Sequence, residues 1–243
     1  MFIEALLENN PELVDAAYSF YKKGDIGPNT YCVDMDMVKK NASLLVQAGK
    51  RYGIKLYFMS KQFGRNPVIS RSVVESGIES AVAVDMDEAR VLYKNGIKIG
   101  HLGHLVQIAH RDINEALDMR PEVMTCFSTE KAAEINEAAH EKGMVQDILL
   151  RAIGNKGYIY PGQEGGIKLD SLGQAVEKIK EMSNVRITGI TSFPCFLYRR
   201  EGNRIEPTEN MNVLRKAADV LNGMGIEVKQ VNLSLIHISE PTR

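Results

Sequence analysis

The segment Tyr57-Phe58-Met59-Ser60-Lys61-Gln62-Phe63-Gly64-Arg65-Asn66-Pro67 carries an apolar run straight into a lysine. A lysine partly desolvated by aromatic and apolar neighbours loses some of its preference for the ammonium form. Its amine then becomes available to carbonyl carbons, which is the condition for Schiff-base chemistry. Position alone fits equally an exposed lysine that opens a loop, since most basic side chains lie at the surface. A second candidate is Gly100-His101-Leu102-Gly103-His104-Leu105-Val106-Gln107, with two histidines three residues apart. No H-E-x-x-H and no carboxylate at ligand spacing accompanies them, so a ring stacked on a cofactor or a hydrogen-bonded core histidine fits better than a metal ligand. The stretch Tyr158-Ile159-Tyr160-Pro161-Gly162-Gln163-Glu164-Gly165-Gly166 is a glycine-rich loop with polar side chains, which either folds over a ligand or merely connects. Ser192 and Cys195, in Thr191-Ser192-Phe193-Pro194-Cys195, carry nucleophilic atoms. Neither sits in a G-x-S-x-G elbow or has an evident activating partner, and a catalytic nucleophile is the weaker reading.

These residues need elements that bring them together. After an amphipathic start over 2–21, closed by Gly24 and the turn Gly27-Pro28-Asn29, the run Thr30-Tyr31-Cys32-Val33 reads as a short strand. Apolar runs rich in β-branched and aromatic types follow at 54–59, 80–84, 98–102, 123–127, 147–152, 185–192 and 226–231. Helical periods fill the intervals at about 35–52, 67–76, 86–95, 109–118, 128–142, 170–182 and 208–224. Strand-then-helix repetition predicts a parallel sheet, because each crossover helix must cover a sheet face. Seven such units fit a doubly wound sheet or a (β/α)8 TIM-type barrel one unit short. The chain lacks a G-x-G-x-x-G after its first strand and a G-x-x-x-x-G-K-[ST] anywhere, which favours the barrel. In a parallel barrel the chemistry lies at the carboxyl ends of the strands, where Lys61, the two histidines, the glycine-rich loop and Ser192 all fall.

Thirty basic residues against 31 acidic ones give a net charge of -1 and a pI near 6.5, so no electrostatic footprint for nucleic acid or an anionic membrane stands out. The sequence has neither a 20-residue apolar run nor the order of a signal peptide at Met1-Phe2-Ile3-Glu4, and the expected compartment is the cytoplasm. Cys32, Cys126 and Cys195 are widely spaced and read as core residues or free thiols. Leu233 to Arg243 (L-S-L-I-H-I-S-E-P-T-R) resembles the translated read-through of a transposase-type sequencing adapter and is set aside from the fold. The expected organisation is thus a barrel domain over 1–232, incomplete by its last unit, and a non-native tail over 233–243. Its first and seventh barrel strands are then open edges, a recognised route to self-association.

With Lys61 at its strand end, the chain resembles the fold-type III pyridoxal-phosphate enzymes, the alanine racemase family, and within it the YhfX-type amino acid racemases. The resemblance rests on 30–36 (TYCVDMD), 59–67 (MSKQFGRNP), 83–90 (AVDMDEAR), 103–108 (GHLVQI), 160–164 (YPGQE) and 193–195 (FPC), and covers essentially 1–232. It implies the PLP-binding barrel of the alanine racemase N-terminal domain and a Schiff base between Lys61 and pyridoxal 5'-phosphate. It also implies a small-molecule amino acid substrate that loses its Cα proton to the lysine, and a full-length homodimer. By the same resemblance His104, Ser192, Phe193 and Arg151 line the cofactor, and Arg65, Tyr160 and Gln163 face the substrate. Family members stack a histidine on the cofactor ring where this chain has Ser192, which leaves the ring to His104 or Phe193. The opposite-face tyrosine and the phosphate-binding loops of the family fall beyond Asn232. A non-catalytic carrier of pyridoxal phosphate and a decarboxylase or aldolase of the same fold are the alternative functions.

Overall fold

The computed structural model describes residues 2–155, 157, 159–199, 202–233 and 235–236. The chain divides into two compact units, residues 1–56 with 68–79 and residues 57–67 with 80–243.

The first unit is helical: α1 (Phe2–Asn9), α2 (Pro11–Lys23), α3 (Met35–Tyr52) and α4 (Pro67–Glu75). The single amphipathic helix expected over 2–21 is broken at Asn10-Pro11. Proline lacks the N–H to continue a helix, and the Asn10 side chain caps α2 by accepting from the Leu13 N–H at 3.1 Å. Asp34 caps α3 through the N–H groups of Asp36 and Met37, and Asn10 Nδ2 donates to Asp34 Oδ2 at 2.8 Å, so the two caps hold each other. Thr30–Val33 is not a strand: it has no regular structure, and Tyr31 is 97% exposed. β-Branched and aromatic residues make a strand only where a pleated neighbour receives them, and here the backbone turns directly into the α3 cap.

The second unit is built on parallel strands β1 (Tyr57–Met59), β2 (Ser80–Ala83), β3 (Lys98–Leu102), β4 (Val123–Cys126), β5 (Gln146–Ile153), β6 (Ile167–Lys168), β7 (Val185–Thr191) and β10 (Gln230–Asn232). They form one sheet in the order β1-β2-β3-β4-β5-β7-β10, with β6 paired to the end of β5. Among the described residues, a hairpin of β8 (Phe196–Arg199) and β9 (Arg204–Pro207) and the short β11 (Leu235–Ile236), parallel to β8, make a second sheet. The helices between the strands are α5 (Met86–Lys94), α6 (Ile113–Asp118), α7 (Thr129–Glu141), α8 (Leu172–Lys180) and α9 (Asn210–Gly223). Every residue of β2 and β4 is buried, as is most of β5 and β7, which is how strands covered on both faces read. The helix starts and stops follow the sequence signals: Ser128 caps α7 by accepting from the Lys131 N–H, and Gly143 leaves it at φ 60°.

The sheet is curled. Tyr57 of β1 packs its ring over Gly100 of β3, donates its hydroxyl to Glu122 Oε2 before β4 at 2.8 Å, and hydrogen-bonds Gln230 of β10, the strand at the other end of the sheet order. Side chains from both ends of the order thus meet on one concave face, and the architecture is an incomplete (β/α)8 TIM-type barrel. Burial and the Glu122 carboxylate together raise the pKa of the Tyr57 hydroxyl. Several elements depart from the sequence expectation: the two-residue β6 and the β8/β9 hairpin lie outside it, and β1 begins at Tyr57 instead of 54. The β8/β9 hairpin turns at Gly202-Asn203, and β10 begins at Gln230 instead of 226, the preceding Lys229 N–H already spent on Thr188 O. Of the adapter-like tail, Ser234 and 237–243 lie outside the described residues.

Gly189 on β7 lies where a Cβ would run into the Gln230 carbonyl of β10. Gly189→Ala is therefore expected to push β10 off the sheet and cost ~1–3 kcal/mol, read as a lower unfolding midpoint in urea. Because β1 and β10 each pair on one side only among the described residues, the 243-residue chain is expected to self-associate. A monodisperse monomer in size-exclusion chromatography with light scattering would overturn that expectation.

Candidate active site

Parallel strands deliver their carboxyl ends to one rim, and the candidate residues collect there. Lys61 follows β1 as the first residue of a 3-10 turn over Lys61–Phe63. The turn closes on itself: Phe63 N–H and Arg65 N–H both donate to Ser60 O, and Gly64 N–H to Lys61 O. Gly64 takes φ 63° without cost, whereas Arg65 is held at φ 60°, a conformation that costs a non-glycine residue ~1 kcal/mol or more. Behind the turn lies Glu88, completely buried in the first turn of α5. Ser60 Oγ donates to its Oε1 at 2.6 Å and the Val84 N–H to its Oε2 at 2.8 Å, while Arg65 Nε stands 3.8 Å from Oε1.

From β3 come the two histidines, both buried. His101 Nε2 is hydrogen-bonded to Thr125 Oγ1 on β4, and the rings of His101 and His104 meet edge to face at 5.0 Å between centroids. His104 in turn meets Phe193 edge to face at 5.5 Å, and Phe193 is 6.2 Å from the Tyr160 ring. From β5 comes Arg151, buried, its guanidinium 4.6 Å from the centre of the Phe127 ring and its Nη2 donating to Gln163 O at 2.7 Å. The glycine-rich loop is pressed onto this pair: a Cβ on Gly165 would meet the Phe127 ring, and one on Gly166 would meet Arg151 O. Gln107 fixes the neighbouring rim, giving its amide to Thr125 O and accepting from the Phe127 N–H.

Ser192 and Phe193 follow β7 and are buried. The loop they open is anchored by the start of α9, because Pro194 O accepts from both Thr208 Oγ1 (2.6 Å) and Asn210 Nδ2 (2.9 Å), and Thr208 N–H donates to Cys195 O. Cys195 is buried with its Sγ on Ser192 O. The structure thus gathers His104, Phe193, Tyr160, Gln163 and Arg151 through direct contacts, and the charges of Arg151 and Lys61 both act on His104. Arg65 is instead turned to Glu88. Sequence reasoning passed over Phe127, Thr125, Gln107 and Glu88. The one legible signal was for Glu88: three residues after the cap Asp85, it reads as half of a capping box.

The electrostatics of the rim are unusual. Both ring nitrogens of His104, Nδ1 of His101, Nε and Nη1 of Arg151 and Oε1 of Gln163 are buried without a hydrogen-bond partner among the described residues. Burial first, then the charges of Arg151 and Lys61, push the His104 pKa down to about 3. Burial, with His104 second, holds His101 well below its ordinary value, and burial lowers Arg151. Orphaned buried polar atoms cost ~1–3 kcal/mol each, and native structures keep few of them outside functional sites.

The sequence matches the alanine racemase N-terminal domain family over residues 33–235. The chain belongs to that family. It is 38% identical over 232 residues to the uncharacterized protein YhfX of Escherichia coli (strain K12), covering 96% of this chain and 60% of the relative. Among solved structures it is similar to a diaminopimelate decarboxylase from M. jannaschi (TM-score 0.66, 17% identity, 86% of this chain and 52% of that one). It is similar also to a D-threonine aldolase from Filomicrobium marinum (0.60, 17%, 85% and 55%) and to an alanine racemase of Clostridium difficile 630 (0.62, 13%, 84% and 54%). These three share the fold with it. The chain spans between about half and three fifths of the length of these relatives.

Two histidines kept neutral by burial carry a consequence for stability. Between the ordinary value near 6.5 and about 3, the unfolded chain binds a proton that His104 refuses when folded, and below that ordinary value it binds one that His101 refuses as well. Stability is therefore lost as the pH falls through that window, by up to ~1.4 kcal/mol per pH unit for each ring. The melting temperature is expected to drop from pH 7 to 5, above the range where the carboxylates of Asp34, Glu130 and Glu164, held below their ordinary values by hydrogen bonds, contribute. His104→Gln is expected to make that slope shallower, and an unchanged slope would exclude the buried neutral ring as its source.

Proposed function

We propose that the whole protein is a pyridoxal-phosphate-dependent amino acid racemase in which Lys61 carries the cofactor. The observation that supports this reading is the set of orphaned buried nitrogens on Arg151, His104 and His101 at the rim shared with Lys61. Among the described residues no carboxylate is ion-paired with Arg151, and burial lowers its pKa. A buried cation without a counter-charge costs several kcal/mol, so the rim fits an anionic, hydrogen-bonding guest. Pyridoxal 5'-phosphate is an anion with ring and carbonyl acceptors, and its aldehyde reacts with a lysine amine. Membership of the alanine racemase family supports the same guest. When bound, this cofactor supplies an electron sink for the bond that breaks at the substrate's Cα.

The chain's own residues divide the remaining work. Lys61 would hold the cofactor, and its amine would be the base for the substrate's Cα proton. His104 and Phe193 form an edge-to-face wall against which a flat ring rests, with Ser192 beside it. Arg151, clamped by Phe127 and Gln163 O, offers Nε and Nη1, unpartnered among the described residues, to an anionic group. Tyr160 and Gln163 on the glycine-rich loop border the space for the substrate, and Arg65 borders it from the Lys61 turn. The buried His101–Thr125 pair keeps water from the inner side of His104. Racemisation also needs an acid on the opposite face of Cα, which the family resemblance assigns to a partner subunit of a homodimer. The small-molecule amino acid substrate and the cytoplasmic setting belong to the same proposal. Among the described residues no helix is long and apolar enough to cross a membrane.

The test uses the full-length protein with a panel of single-enantiomer amino acids in D2O. Deuterium at Cα together with appearance of the other enantiomer supports the racemase. Amine plus carbon dioxide would point to a decarboxylase, glycine plus an aldehyde to an aldolase, and bound cofactor with no turnover to a carrier. Lys61→Ala is expected to abolish the visible absorption of lysine-bound pyridoxal phosphate. A retained band, with borohydride-reduced cofactor found on another lysine by peptide mass spectrometry, would overturn the assignment.

A further inference from the structure

Glu88 is the fully buried carboxylate of this rim, and the chemistry above leaves it unused. As a helix cap it would need to satisfy only a backbone N–H at the start of α5, and the Asp85 side chain already accepts from the Glu88 N–H there. Its contacts reach further. Oε2 takes the Val84 N–H at the end of β2, while Oε1 takes the hydroxyl of Ser60 and faces Arg65 Nε at 3.8 Å. Ser60 immediately precedes Lys61, and Arg65 closes the same turn through its N–H to Ser60 O. One carboxylate therefore hydrogen-bonds the residue before the lysine, sets its charge beside Arg65 at the other end of the six-residue segment, where Nε makes no hydrogen bond among the described residues, and ties the segment to the neighbouring strand. A carboxylate removed from water is retained only where donors answer it. Here two of its three partners belong to the lysine turn, and one of those, Arg65, keeps a left-handed backbone.

We propose that Glu88 is the positioning residue for Lys61, fixing the turn after β1 through Ser60 and Arg65 so that the amine is presented at one place on the rim. This rests on Lys61 being the cofactor lysine, and its physical content is separable from that reading. A glutamine at position 88 keeps both hydrogen bonds, its carbonyl accepting from the Val84 N–H and its amide donating to Ser60 Oγ. An alanine keeps neither. Ser60→Ala removes one grip and leaves Glu88 paired with Val84 and Arg65.

The experiment compares Ser60→Ala, Glu88→Gln and Glu88→Ala in the full-length protein by two readouts. The first is amide hydrogen exchange of the 60–66 peptide in cofactor-free protein, with the α7 peptide 129–141 as internal control. The second is the concentration of pyridoxal phosphate needed for borohydride to trap it on Lys61. Loss of the charge-assisted bond from Ser60 is expected to speed exchange over 60–66 and weaken loading by about tenfold each in Ser60→Ala, and by at least that in Glu88→Ala, which loses both hydrogen bonds, with α7 unchanged. Glu88→Gln is expected to stay within a few fold of wild type in both. Wild-type exchange over 60–66 in Ser60→Ala would overturn the proposal, as would faster exchange spread evenly over the chain, the mark of a purely structural acid. If Glu88→Ala does not fold, Ser60→Ala and Glu88→Gln decide. Should wild-type protein take no cofactor on Lys61, the functional reading falls, and the exchange readout still decides the role of Glu88.

Discussion

A strand in a parallel sheet cannot turn back beside its neighbour; every crossover must return the chain to the same starting edge. The opposite edge then receives every strand's carboxyl end, whatever the distance in sequence. The rest of the second unit depends on this constraint. Lys61, His104, Arg151 and Phe193 come from four different strand ends spread over more than half the chain, yet the histidine ring feels the charges of the lysine and the arginine and touches the phenylalanine. The opposite end of the same interior is closed by Tyr57, Glu122, Ser80 and Gln230, a polar plug whose members answer one another. One end of the barrel is thus self-satisfied, and the other is left with donors and ring nitrogens that nothing among the described residues answers. That asymmetry separates scaffold from site more sharply than any single residue does.

Much of this was readable from residue order. The apolar runs with β-branched residues located seven strands of the parallel sheet, because strands covered on both faces must be apolar throughout. Ser128 and Gly143 bounded α7 because caps are chemical requirements local to a few residues. Where the reading failed, the deciding partner was distant. Thr30–Val33 has strand-type residues and no strand to pair with, and 226–229 reads as strand although the backbone reaches β7 only near Lys229. The β8/β9 hairpin hides because its two arms are short and half exposed.

The site was legible in a different manner. Lys61 stood out by its place at a strand end, and the resemblance to a family raised the other candidates. Position along a strand cannot say which side chain will be left without a partner, which is what distinguishes Arg151 and His104 from the other buried polar groups. Glu88 was hidden for the opposite reason. Its local pattern has an adequate explanation as a cap, and its contacts to Ser60 and Arg65 exist only once β1 and β2 lie side by side.

The anchoring of Pro194 by Thr208 and Asn210 has a consequence for how such a protein diversifies. The hairpin leaves the rim after Cys195 and returns at Thr208, and its two feet are bolted together by three hydrogen bonds at that point. Everything between the feet is mechanically downstream of the bolt. A new turn sequence at Gly202-Asn203 is absorbed beyond it, without moving Ser192 or Phe193, whereas the base of the hairpin is held by buried Leu197 and the pairing of β8 with β11. The tip of the hairpin is therefore a replaceable attachment on a fixed mount, a place where relatives are free to acquire different outer walls while the floor of the site stays as it is.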